Sequence, residues 1–292
     1  MIRAWAAVVV VLALALPGCA PVPDDIGSTT QATGTLRIDG GPFPLLDAGA
    51  SQLDSLHLRV LAYGPENARQ ISEQAEASYS RIMVDTNLFS FHPSELYQIV
   101  VYASADEYRA KTRMPFWSGG VTVRNSIYTF QGPGLQQTVA HEMTHVIFHE
   151  FMGDAIVQNN DYRWINEGLA VYEQQKAAVA GGFQGDIFGS VRPLVRAQPL
   201  TMDVIVHFVP GGPQEDTINQ QEQDKIRQQV TIWYAQSEGM IRHMLERGGT
   251  LGFSTLLTTI RDGGTTDQAL AQAYGGTFNG LNGFYQSWQQ HQ

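Results

Sequence analysis

The chain has 292 residues, 43% of them hydrophobic, which is enough apolar content to fill one large domain or two small ones. It carries 28 acidic residues against 18 basic, a formal net charge of −10, with no run of like charges. Nucleic-acid binders need a basic footprint, so no nucleic-acid partner is expected.

The opening residues, MIRAWAAVVVVLALALPGCAPVP, place Arg3 before an apolar run from Ala4 to Leu16 that is short for a bilayer span. They resemble a bacterial lipoprotein signal (residues 1–18), with cleavage after Gly18 and lipid attachment at Cys19. Cys19 is the single cysteine, so no internal disulfide forms. The expected location is the cell envelope, outside the cytoplasm, with membrane contact through that anchor only. A plain secretory signal, giving a secreted protein, is the alternative. Without Arg3 the side-chain balance becomes 17 basic against 28 acidic, or −11. Residues 19–54 read as a flexible tether, and residues 55–292 as the folded domain.

Within that domain, SLHLRVLAYG (55–64) alternates apolar and polar residues, as a strand does. Pro65 then opens a helix whose apolar positions are Ala68, Ile71, Ala75, Tyr79, Ile82 and Met83. LYQIVVYAS (96–104) reads as a buried strand, and Ser104 caps a short helix after it. GGVTVRNSIYTF (119–130) reads as a hairpin or a bent edge strand. From Leu135 onward helical periodicity dominates, broken by glycine-rich loops at 181–190, 211–213 and 263–264. The expected class is α+β: a small mixed α/β sheet unit (55–153) followed by a mostly helical unit (154–292).

At the junction stands QQTVAHEMTHVIFHEF (136–151). Residues four apart share one helix face, so His141 and His145 can point at a single ion. Glu142 lies one residue round, where it can reach a water beside that ion. Gly134 and Gly153 bracket the helix, and Val139, Met143, Val146 and Ile147 supply its packing side. His149 is about 12 Å along the axis from His141, too far to share the ion, and is expected to pack or hydrogen-bond instead. The arrangement with glycine at 148 and a third histidine at 151 is excluded by Phe148 and Phe151. Catalytic zinc needs a third protein ligand and an open position. Glu167, in WINEGLAVYE, is the expected third ligand, 22 residues beyond His145. Trp164 and Ile165 anchor its helix, and Gly168 lets that helix pack closely on the first. Glu173 is the competitor, read as a solvated surface carboxylate.

HEMTH, WINEGLAVY and YAQSEGMIRHMLERGG (234–249) together resemble the gluzincin metallopeptidases of the peptidase MA-like group. The resemblance spans most of the chain from about residue 57, including its strand-rich lead-in. It implies zinc held by His141, His145 and Glu167, with Glu142 as general base in hydrolysis of a peptide or protein substrate. Tyr234 is the candidate oxyanion donor, equally readable as a core tyrosine; His243 and His207 are weaker candidates. Two departures stand out. Val171 occupies the position of an aspartate that orients a ligand histidine in thermolysin-like members, so Asn166 or a backbone carbonyl is expected to serve. The stretch RNSIYTFQG lacks the glutamate by which the aminopeptidase branch holds a free amine, which favours an endopeptidase. The segment Ile127–Phe130 is expected to be an edge strand beside the cleft, able to take an extended substrate. The competing reading is a catalytically silent lipoprotein that binds zinc or a protein partner, its site covered by residues 209–228.

Overall fold

A computed structural model describes residues 42–209 and 220–292. The signal segment, Cys19, the tether up to residue 41 and the glycine-rich loop at 211–213 lie outside the described residues. So does residue 210–219 of the stretch expected to cover the site.

The chain is α+β. Its first half builds one five-stranded mixed sheet of order β1-β2-β3-β5-β4. Strands β1 (Ala50–Asp54) and β2 (Leu58–Tyr63) pair antiparallel. Helix α1 (Pro65–Thr86) carries the chain across to β3 (Tyr97–Tyr102), which lies parallel to β2. Pro65 suits the first turn of α1, where its missing N–H has no helical partner to lose. Helix α2 (Ala105–Thr112) starts where the Ser104 hydroxyl accepts the Glu107 N–H at 3.2 Å. A hairpin of β4 (Gly120–Val123) and β5 (Ser126–Phe130) completes the sheet, β5 running parallel to β3.

Alternation along the strands divides the core in two. Leu58, Val60, Ala62, Tyr97, Ile99, Val101 and Ile127 face the main core, which α1 and α3 (Leu135–Met152) share. Leu61, Val100, Tyr102, Val121 and Tyr128 face a second, smaller core with α2. By the same parity Gly120 and Thr122 of β4 point toward α3.

The second half is helical: α4 (Asp154–Val157), a 3₁₀ turn at Asn160–Tyr162, α5 (Arg163–Ala180), α6 (Arg192–Ala197), α7 (Met202–His207), α8 (Gln220–Arg261), α9 (Thr266–Ala273) and α10 (Gly280–Gln290). Gly249 leaves helical geometry (φ 65°) and divides α8. No described helix is long and apolar enough to cross a membrane.

Four expectations are corrected. The fold begins before residue 55: β1 occupies 50–54, and Phe43, Leu45 and Leu46 pack on the second core, so the segment read as tether is part of the fold from residue 42. The Tyr102 hydroxyl donates to the Pro44 carbonyl at 2.7 Å, fixing this strap to the sheet. Second, β5 is not an edge strand, because β3 and β4 bond it on both sides; β4 is the outer strand. Third, Glu173 is no surface carboxylate. It is fully buried, 2.8 Å from Arg81 Nε of α1, next to the Lys176–Asp85 pair. Fourth, Gly168 packs on α8, not on α3: a Cβ there would lie 2.7 Å from the Ser237 carbonyl oxygen.

Burial pushes the Glu173 carboxyl up to about 8, and the nearby Asp85 charge adds to this against the pull of Arg81. An acid whose folded pKa is raised contributes stability below its unfolded pKa of about 4.5 and loses it as pH climbs toward about 8. Thermal melts of wild type and Glu173→Gln should therefore agree most closely near pH 5. By pH 9 the wild type should have lost more stability than the variant. Parallel melting curves across that range would contradict the buried, protonated Glu173.

Candidate metal centre

Helix α3 runs between the sheet and α5, bounded by Gly134 and Gly153 as its sequence anticipates. Nearly all of it from Thr138 to Phe148 is buried, the two histidines and Glu142 included. Opposite, α5 presents Glu167. The Nε2 atoms of His141 and His145 are 3.1 Å apart. Glu167 Oε2 lies 3.6 Å from the first and 3.5 Å from the second. Nitrogen and oxygen ligands about 2.0–2.1 Å from a tetrahedral ion sit about 3.3 Å from one another. The three atoms thus have the spacing of three corners of a metal tetrahedron.

Their outer partners prepare them for that role. His141 Nδ1 is 3.1 Å from Gln174 Oε1, and His145 Nδ1 is 2.9 Å from Asn166 Oδ1. Each ring can donate its Nδ1–H to an amide oxygen, which turns Nε2 inward, toward the cluster. Asn166 was anticipated as an orienting residue. Gln174 was not. It stands seven residues after Glu167 and therefore on the same face of α5, one turn past Val171, a periodicity visible in the sequence. Glu167 Oε2 is buried without a hydrogen-bond partner, as an oxygen reserved for a cation would be. Among the described residues, His141, His145 and Glu167 form a cluster able to hold a metal ion.

Titration follows from the same crowding. Burial, and then the neighbouring His145 charge, lower His141 to about 4, so it is neutral at pH 7. Burial also works against the charge on His145, but the Glu167 carboxylate outweighs it and lifts His145 to about 9. Glu167 is held below its usual range: burial raises it, and the histidines, His145 foremost, lower it further. Without metal the pocket contains an imidazolium–carboxylate pair, and one proton must leave when a cation enters.

Glu142, one residue past His141 on α3, is buried against β4. The Thr122 hydroxyl donates to Glu142 Oε2 at 2.8 Å and lies 3.1 Å from the Glu142 carbonyl. A Cβ at residue 120 would stand 3.2 Å from Glu142 Oε1 and 2.8 Å from Thr138 Cγ2, so glycine there keeps the carboxylate clear. Thr122 carries no signal in the sequence, since its role arises from the β4–α3 contact.

Tyr234 is buried on α8, edge-on to Trp233 with ring centroids 5.2 Å apart. It shares a helix face with Ser237, one turn on, whose carbonyl lies against Gly168 beside Glu167. The two weaker candidates have other partners. His243 Nε2 is 3.0 Å from Ser287 Oγ of α10, and His207 is exposed at the end of α7, bonded to the Asp203 carbonyl. His149 is 3.1 Å from Asn166 Nδ2 and stacks on His145.

Comparison of the chain with family models, with curated proteins and with solved structures returns no match.

Addition of zinc to the metal-free protein at pH 7 should bind one ion per chain and release about one proton, read by calorimetry in buffers of different ionisation enthalpy. Glu167→Ala should bind the ion far more weakly. Equal affinity in that variant would remove Glu167 from the ligand set.

Proposed function

We propose that the protein is a zinc-dependent metallopeptidase of the gluzincin type, an endopeptidase acting on peptide or protein substrates. The observation that carries this reading is the tetrahedral spacing of three buried lone-pair atoms with a restrained carboxylate beside them. A bound zinc ion supplies a Lewis acid for the scissile carbonyl and lowers the pKa of an attacking water to about 7. His141, His145 and Glu167 hold it, with Gln174 and Asn166 keeping both rings in the ligating tautomer. Glu142 takes the proton from the attacking water and delivers it to the leaving amine. Thr122 holds the Glu142 carboxylate in one rotamer, which keeps that proton path short. Tyr234 is the proposed donor to the oxyanion that forms as the carbonyl becomes tetrahedral.

The edge available to an extended substrate is that of β4, which is adjacent to Glu142 through Thr122. A peptide lying along it would gain main-chain hydrogen bonds and bring its own carbonyls past the base. The proposed location is the bacterial cell envelope, with the chain held by a lipid on Cys19; this part rests on the resemblance of residues 1–19 to a lipoprotein signal.

The deciding experiment is turnover of a peptide library by the zinc-loaded protein beside Glu142→Gln. The variant should retain its zinc and lose about 100- to 10,000-fold in kcat. Tyr234→Phe should lose about 100-fold in kcat with KM little changed. If both variants match the wild type, the assigned chemistry is wrong. A zinc-loaded wild type that cleaves nothing would leave the competing reading, a peptidase-like binding protein.

Thr122→Val removes a hydrogen bond to a charged group, a loss of about 1.5 kcal/mol or roughly tenfold in kcat. Thr122→Ser should recover most of it. Loss of zinc from the valine variant would instead assign Thr122 a purely structural part.

A further inference from the structure

The third histidine of the HExxHxxxH run takes no place in the cluster or in the proposed chemistry, yet its contacts bear on both. His149 is half-buried on α3, one turn past His145, and its ring stacks on that of His145 at 5.9 Å between centroids. Its Nε2 lies 3.1 Å from Asn166 Nδ2. The same amide presents Oδ1 to His145 Nδ1 at 2.9 Å. Asn166 is therefore clamped between two rings, with one end of its amide on each.

An asparagine amide has two orientations that fill the same space, one end accepting and the other donating. With Oδ1 toward His145, that ring keeps a hydrogen on Nδ1, so the proton that leaves as a cation enters is the one on Nε2, the ligand atom. With the amide reversed, Nδ2–H would face His145 Nδ1. That nitrogen would then have to accept, the ring hydrogen would move to Nε2, and the ligand atom would be blocked. At the far end of the amide His149 Nε2 stands where it can accept from Nδ2, and in that tautomer it requires Nδ2 to face it.

We propose that His149 is a positioning residue for the metal centre: by accepting the Asn166 Nδ2–H it fixes the Asn166 amide in the one orientation that leaves His145 Nε2 unprotonated toward the cation. The inference rests on the reading of His141, His145 and Glu167 as metal ligands. It adds that the ligating tautomer of His145 is set from a helical turn away, through a residue that touches no metal. Outer partners of ligand histidines commonly contribute about 10- to 100-fold in metal affinity.

The test is zinc affinity, measured by competition with a chromogenic chelator, in the full chain. His149→Phe keeps a ring against His145 and removes only the accepting nitrogen. It should weaken zinc binding about 10- to 100-fold, with the melting temperature of the metal-free protein close to wild type. His149→Gln, whose side-chain carbonyl can accept the same N–H, should recover most of the affinity. The decisive arm is Asn166→Asp: a carboxylate accepts from His145 in either orientation, so His149→Phe should cost little in that background. If His149→Phe does not fold, His149→Leu replaces it in the same cycle. Unchanged affinity in the ring variant overturns the proposal. So does an equal loss in the glutamine variant, or a loss of the same size in the Asn166→Asp background. A wild type that takes up no zinc would instead defeat the metal reading itself, before any of these variants is compared.

Discussion

Two imidazole nitrogens and a carboxylate oxygen are brought within 3.1–3.6 Å of one another in a buried site, and the surrounding structure answers to that constraint. Lone pairs at such distances repel unless a proton or a cation stands among them. In the metal-free site a proton on His145 meets the need in part, yet Glu167 Oε2 still lacks a hydrogen-bond partner. The three atoms are spaced so that a metal ion could be held among them.

The arrangement is costly to hold, and three helices hold it. Helix α3 supplies both histidines on one face, α5 supplies Glu167 together with the two amides that fix the rings, and α8 backs α5. The contact between Gly168 and Ser237 sets how close α5 can come to α8, so a side chain at residue 168 would push Glu167's helix off its support. Partly exposed Arg81 of α1 reaches the fully buried Glu173 of α5 at 2.8 Å and ties the two helices on the other flank. The contact fixes register: sliding α5 along α1 would leave the buried Glu173 carboxyl without its Arg81 partner.

The sheet serves the same site from the opposite side. Because β5 lies between β3 and β4, the outer strand is β4, and its alternation turns Gly120 and Thr122 toward α3. One of these residues leaves room for Glu142 and the other bonds it. The proposed base is thus located by β4, the outer strand of the hairpin.

Much of this was legible in the sequence where the physics is local. The i, i+4 spacing of His141 and His145, the glycines that bound α3, the Ser104 cap, the strand alternation of 58–63 and the apolar run of 97–102 each depend on neighbours a few residues away. So does the α+β order of elements. What the sequence left open, or indicated wrongly, depends on which elements become neighbours. Glu173 has the composition of a surface residue, and only the packing of α5 on α1 buries it against Arg81. Gly168 signals a close approach without naming its partner, which proved to be α8. The hairpin at 120–130 was readable, but which of its strands would face outward was not, since hydrogen bonding to β3 is a long-range choice. Residues 43–46 join the second core for the same reason: an apolar side chain in a polar stretch gains burial only once a sheet face exists to receive it. Local spacing set the ligands' geometry along each helix. Packing between elements decided that Glu167 meets the two histidines, and that Asn166, Gln174 and Thr122 hold the groups around them.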